Sequence, residues 1–219
     1  MKSSTASFSW EQQDRNTFSR ITLFATFLVA SAAAQADVSA NLGFASEYYY
    51  RGIFQESSSA SGGLDFESGG FYAGTWAADV GDGLEVDGYA GYGTDVGDVS
   101  LSVGVTGYFY TGDFDDTYLE LNLGAGFGVF TFDLAIGEYD NFDGPTLDYT
   151  YYSVTAVKNG FYGKIGGFLQ DFEGEYVEAG YGTTVAEIDL GVSLVFSNSD
   201  LVGESDEAII FTVGKSFDL

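Results

Sequence analysis

From residue 37 onward, hydrophobic and polar residues alternate one by one, segment after segment. Leu101, Val103, Val105 and Phe109 alternate with Ser100, Ser102, Gly104 and Thr106. Leu119, Leu121, Leu123 and Phe127 alternate with Glu120, Asn122, Gly124 and Gly126, and Ile188, Leu190, Val192, Leu194 and Phe196 with Glu187, Asp189, Gly191 and Ser193. Successive side chains of a strand point to opposite faces, so a period of two marks strands with one apolar and one polar face. No window beyond residue 36 carries a helical period. The pattern predicts twelve strands, near 38–51, 58–67, 70–80, 83–94, 98–110, 116–127, 129–139, 147–157, 160–171, 174–184, 186–197 and 207–219. Each is close to the roughly 9–11 residues with which a tilted strand crosses a bilayer.

The connections alternate too. Ser68-Gly69, Gly128 and Asn159 sit in very short turns, whereas 112–116, 140–146 and 198–206 are longer and acidic. Tight turns at one end and long loops at the other describe an all-β, antiparallel up-and-down transmembrane barrel. A soluble β-sandwich gives the same alternation. Against it stand a polar face rich in Gly, as a crowded lumen requires, and aromatic clusters at both strand ends. Tyr48, Tyr49, Tyr50, Tyr108, Phe109, Tyr110, Tyr118, Tyr139, Tyr149 and Tyr151 fall toward one end, and Phe66, Phe71, Tyr92, Phe161 and Phe217 toward the other. They are expected to form the two girdles of a membrane barrel. The last strand ends Gly214-Lys215-Ser216-Phe217-Asp218-Leu219. This is similar to the C-terminal assembly signal of outer-membrane barrels, with Gly214, Phe217 and Leu219 as its elements and Leu219 standing where a Phe is more usual.

Residues 1–36 read as a cleaved signal peptide, and 37–219 as the barrel. Lys2, Arg15 and Arg20 precede an apolar run from Ile21 to Ala34, and Ala34-Gln35-Ala36 is an A-x-A cleavage site. The apolar run is shorter than the roughly 20 residues of a spanning helix. A secreted barrel of this kind belongs in the outer membrane of a Gram-negative bacterium. Its expected partners are outer-membrane lipid and lipopolysaccharide, periplasmic chaperones, the barrel-assembly machinery, and small solutes or cations.

Composition removes whole classes of function. The chain has no Cys and no His, so it has no thiolate or imidazole metal site and no Ser-His-Asp or Cys-His catalysis. With 33 acidic and 7 basic residues its net charge is −26, which argues against nucleic acid as a partner. Glu85 and Asp87, about 6.6 Å apart along one strand face, are an acid pair, but paired acids lining a pore are the commoner case. The chain therefore reads as a non-enzyme with no cofactor. Gly124-x-Gly126-x-Gly128 lies inside a strand and lacks the context of a dinucleotide loop. Asp140, Asp143 and Gly144, or Asp79, Asp82 and Glu85, do not follow the EF-hand spacing.

Residues 46–57, Ser-Glu-Tyr-Tyr-Tyr-Arg-Gly-Ile-Phe-Gln-Glu-Ser, resemble the opening S-D-Y-x-x-R-G-I-S-Q-S segment of the TorF-type porin family, the Gcw_chp domain of proteobacterial outer-membrane proteins. The likeness continues through Gly62 to Phe66, Gly70 to Ala77 and Glu85 to Tyr92; Glu47 replaces the family's Asp and Phe54 its Ser. The resemblance implies an outer-membrane barrel acting as a porin. It carries no substrate and no site residue.

Function in such a barrel lies in the lumen. Strand parity turns Glu47, Asp65, Glu67, Glu85, Asp87, Glu120, Asp133, Asp148, Glu178, Glu187 and Asp189 inward, against Arg51 and Lys164. Burying so many charges without partners costs several kcal/mol each, so the lumen is expected to be wet. Its pore-lining candidates are Glu47, Arg51, Glu85, Asp87, Glu120, Asp133, Asp148, Lys164 and Glu178. Glu85, Asp87, Glu120, Asp148 and Glu178 fall in the outer half by strand direction, as does Arg51, which is expected to pair with one or two of them and to set the constriction. Two functions fit: a porin-like channel for passive diffusion of small solutes or ions, cation-preferring through its acidic lumen, or a non-conducting barrel that displays acidic loops.

Overall fold

A computed structural model describes residues 37–219; the segment 1–36, where the signal peptide is expected, lies outside the described residues. The strands are β1 (Asp37–Ala45), β2 (Tyr48–Tyr50), β3 (Ile53–Glu56), β4 (Ser59–Ser68), β5 (Phe71–Asp79), β6 (Leu84–Val96), β7 (Val99–Tyr110), β8 (Tyr118–Phe127), β9 (Phe130–Tyr139), β10 (Leu147–Lys158), β11 (Phe161–Gln170), β12 (Gly174–Val185), β13 (Ile188–Ser197) and β14 (Asp206–Asp218). β1 and β4 to β14 form a closed twelve-stranded antiparallel barrel. β14 returns to β1, from Ser39 opposite Asp218 to Ala45 opposite Thr212. Closure leaves no unpaired edge, which hydrocarbon would not tolerate.

Five two-residue turns lie at one end: 69–70, 97–98, 128–129, 159–160 and 186–187. Gly69-Gly70 and Asn159-Gly160 have positive φ at both positions, the geometry that matches the twist of the flanking strands. The other end carries the longer connections 46–58, 80–83, 111–117, 140–146, 171–173 and 198–205. These are called the turn end and the loop end below.

The exterior is apolar. Leu42, Leu64, Leu101, Val103, Val105, Leu121, Phe132, Ile165, Val192 and Phe211 all stand exposed on it, as in a barrel whose solvent on that side is lipid. Phe66, Phe71, Tyr92, Phe161 and Phe217 stand on the same face toward the turn end.

Two expectations change here. The first strand does not run to residue 51. It stops at Ala45, and β2 and β3 pair only with each other, outside the barrel sheet. Their link is Arg51-Gly52, with φ +51° and +83°, between the paired Tyr50 and Ile53. The alternation of 46–51 is therefore that of a separate hairpin, not a longer wall strand. The second change concerns the aromatic residues at the loop end. Tyr48, Tyr108, Tyr139, Tyr149 and Tyr151 are buried, and of the cluster assigned to the loop-end girdle Phe109 is the one on the exposed apolar face. The parity of β7 already requires this, because Val103, Val105 and Phe109 face out and so Tyr108 and Tyr110 face in. The aromatic mass at the loop end is an internal core, not a girdle.

Candidate functional site

The hairpin 46–58 folds into the lumen and is fastened around its circumference. The Tyr48 hydroxyl donates to Glu85 of β6 at 2.7 Å, and its ring meets Trp76 of β5 edge-on at 5.9 Å. The Tyr49 hydroxyl donates to Asp206 of β14 at 2.6 Å. The Tyr50 ring packs on Tyr108 of β7 at 5.5 Å. The Ser197 hydroxyl of β13 donates to the Gly52 carbonyl. A Cβ on Gly52 would come within 2.6 Å of the Tyr176 ring of β12, so both its φ and its surroundings require glycine.

Arg51 is the centre of this fastening. Its Nη1 and Nη2 donate to the two carboxylate oxygens of Glu120 on β8, at 2.5 and 2.9 Å. Its guanidinium lies 4.0 Å from the centre of the Tyr151 ring and 4.7 Å from that of Tyr50. Glu120 also accepts from the hydroxyls of Tyr108 and Tyr149 and from the Asn122 amide, at 3.0, 2.8 and 2.9 Å. The side chains of Arg51 and Glu120 are 10% and 0% exposed. A buried bidentate pair with every lone pair used is the arrangement that repays desolvation.

Around the hairpin the loop end is packed. Tyr139, Tyr149, Tyr151, Phe168, Tyr176, Val195 and Ile210 form one cluster, onto which Tyr49 and Ile53 pack from the hairpin, Phe172 from loop 171–173 and Leu201 from a single helical turn, Ser199–Val202. Tyr48, Trp76, Ala78 and Val80 form a second, with Tyr50, Tyr110 and Phe114 against it. Room for these rings comes from small residues on the neighbouring strand; Tyr149, for example, lies across Gly137. Phenols answer many of the carboxylates. Tyr110 donates to Glu85 at 3.2 Å, and Tyr118 and Tyr139 donate to Asp115 of the 111–117 loop at 2.9 and 2.8 Å. These hydrogen bonds let an interior so acidic pack closely in its outer half, where an open, wet lumen was expected.

Beneath the hairpin, toward the turn end, the lumen holds a partly open cavity of about 760 Å³. Its wall carries Asp37, Glu47, Asp65, Glu67, Asp133, Glu178 and Asp189. Of the inward bases on that wall, Arg51 is held by Glu120, while Lys164 stands opposite Glu178 in the β11–β12 register; Lys215 shares the outward face of Phe217 and is held by Glu187 at 3.1 Å. Tyr89 donates to Asp65 and Tyr162 to Glu178. The cavity is thus strongly acidic.

The pore-lining candidates divide accordingly. Glu47, Arg51, Asp133, Lys164 and Glu178 stand on the cavity wall. Glu85, Asp87 and Glu120 point inward but are sealed in the packed half, and neither oxygen of Asp87 accepts a hydrogen bond. Sealed in this way, Glu85 and Asp87 have no access for a substrate. Asp148 does not face the lumen. Tyr149 and Tyr151 are buried inside, so their neighbours Asp148, Thr150 and Tyr152 take the outer face. Glu187 is not in the lumen either: it lies in the 186–187 turn with its side chain 85% exposed. Among the described residues no three acidic side chains converge closely enough to hold a metal ion. Gly214 faces inward on β14 and Phe217 outward, and the Leu219 amide still donates to the Val38 carbonyl of β1.

The Gcw_chp family profile, described as a bacterial protein of unknown function, matches residues 29–120. No protein of curated function matches the sequence. Among solved structures, a chain from a study of the in-meso crystallization of membrane proteins superposes with a TM-score of 0.60 at 9% identity, with 84% of each chain covered. A BenF-like porin from Pseudomonas fluorescens Pf-5 gives 0.43 at 11% identity, over 84% of this chain and 58% of the porin. The outer membrane protein OpdK from Pseudomonas aeruginosa gives 0.39 at 15% identity, over 84% of this chain and 61% of that one. This chain thus spans about six tenths of the length of those two porins. At these identities the likeness is one of fold, and the superposition at 0.60 supports the barrel.

Proposed function

We propose that the protein is a narrow, porin-like channel of the Gram-negative outer membrane that favours small cations and is constricted by the hairpin 46–58. The observation that carries this reading is the acidic cavity directly beneath the hairpin, with seven carboxylate residues on its wall and Lys164 as the inward base that, among the described residues, is not held in a salt bridge. Carboxylates in a low-dielectric lumen hold a negative potential that concentrates cations and repels anions. An eight-stranded barrel is filled by side chains and one of sixteen strands holds an aqueous channel, so twelve strands with an in-folded hairpin leave a small aperture. In this reading residues 1–36 are the signal for export and are removed. The turn end faces the periplasm, the loop end meets lipopolysaccharide, and β14 is the strand that the assembly machinery reads.

The packed loop end favours a second reading, a barrel that does not conduct and presents its acidic loops to the outside. Arg51 and Glu120 are nearly inaccessible in it. Planar-bilayer recording of the refolded protein separates the two. The channel reading expects small single-channel steps and a reversal potential of cationic sign across a salt gradient. Silent membranes would leave the second reading, and anion preference would contradict the lumen argument.

A further inference from the structure

The wall of the barrel builds a receptor for a guanidinium group, and the chain's own Arg51 sits in it. Glu120 offers two oxygens side by side, and the hydroxyls of Tyr108 and Tyr149 and the Asn122 amide fix that carboxylate without any help from the hairpin. Tyr151 adds an aromatic face 4.0 Å from the guanidinium carbon. Two parallel N–H donors meeting two oxygens while a flat cation stacks on a ring is recognition of a guanidinium; an ammonium has neither the fork nor the plane.

Two features make the occupant exchangeable. Arg51 lines the acidic cavity whereas Glu120 does not, so Arg51 is the group that faces an incoming solute. The hairpin has its own fastenings at Tyr48, Tyr49 and Gly52, so the arginine side chain can leave while the hairpin stays.

We propose that the Glu120–Tyr151 site binds compact guanidinium-bearing solutes that enter through the cavity and exchange with Arg51, which acts as a tethered stand-in for them. The proposal names the solute class of the channel reading and rests on that reading for its physiological meaning. A side chain tethered this closely competes at an effective concentration of mM or more, so the free solute binds wild type weakly.

The test is a calorimetric titration of Arg51→Ala in detergent micelles with methylguanidinium. One site is expected, at least tenfold tighter than in wild type and tenfold tighter than for methylammonium, and lost in Arg51→Ala with Glu120→Gln. Equal binding by wild type and variant, or equal binding of the two cations, overturns the proposal. If Arg51→Ala does not refold alone, refolding with about 20 mM methylguanidinium decides. Rescue by methylguanidinium but not by methylammonium supports the site, and absence of rescue refutes it. A silent bilayer beside a positive titration would sink the channel reading and spare the site. Conduction without binding would do the reverse.

Discussion

At the scale of single residues, two buried acids a short way apart have opposite meanings. Glu120 accepts five hydrogen bonds and cancels the charge of Arg51. Asp87 is fully buried and accepts none. Removing one partner of a buried pair strands the other charge, so Glu120→Gln should destabilise the barrel by about 3–5 kcal/mol. Asp87→Asn removes an unpartnered buried carboxyl group at constant shape and gives its neighbours a donor, so it should stabilise by about 1–3 kcal/mol. Urea unfolding in lipid vesicles measures both, followed through Trp76, which lies against the hairpin's Tyr48. Equal signs for the two variants would contradict this account. Arg51 was legible as a pairing residue from its motif and its near-solitude among acids. Its partner was legible only as one of five acids in the outer half, because Glu120 lies 69 residues away and the closed ring decides which of them it meets.

At the scale of elements, the wall strands follow the alternation to within two residues at most ends, and β1 is the exception. A run such as Tyr48–Glu56 reads the same whether it prolongs a strand or turns back as a hairpin. The signal that could have shown the difference is Arg51-Gly52, since a residue pair with positive φ at both positions belongs to a two-residue turn. Replacing residues 47–57 by a short glycine linker should remove the constriction and raise single-channel conductance severalfold, with the barrel still heat-modifiable on gels. Unchanged conductance would show that the hairpin does not set the aperture. β14 has a different task, because it must pair on both sides to close the ring. Deleting Phe217 to Leu219 should leave unassembled, protease-sensitive chain; normal yield in the outer-membrane fraction would rule out an assembly role for this end.

At the scale of the whole molecule, charge is sorted by depth. The loop-end half answers Glu85, Asp115 and Glu120 with tyrosine hydroxyls and one arginine, though not Asp87, and the turn-end half sets seven carboxylate residues around a cavity. Selectivity should therefore depend on the cavity wall. Asp65→Asn with Glu178→Gln and Asp189→Asn should move the reversal potential toward zero, whereas Glu85→Gln with Asp87→Asn should barely shift it. The opposite ranking would mean that ions pass through the packed half. By itself the sequence determined the closed barrel, its strand number and its apolar exterior, because a bilayer forces every crossing strand to present alternate apolar residues and to leave no edge unpaired. Only the tertiary structure decided that Tyr48 to Gly52 turn inward, that the aromatic residues of the loop end form a core, and that Glu120 receives Arg51. Parity states which face a side chain takes, but depth, partner and burial come from strands far apart in sequence once the ring has closed.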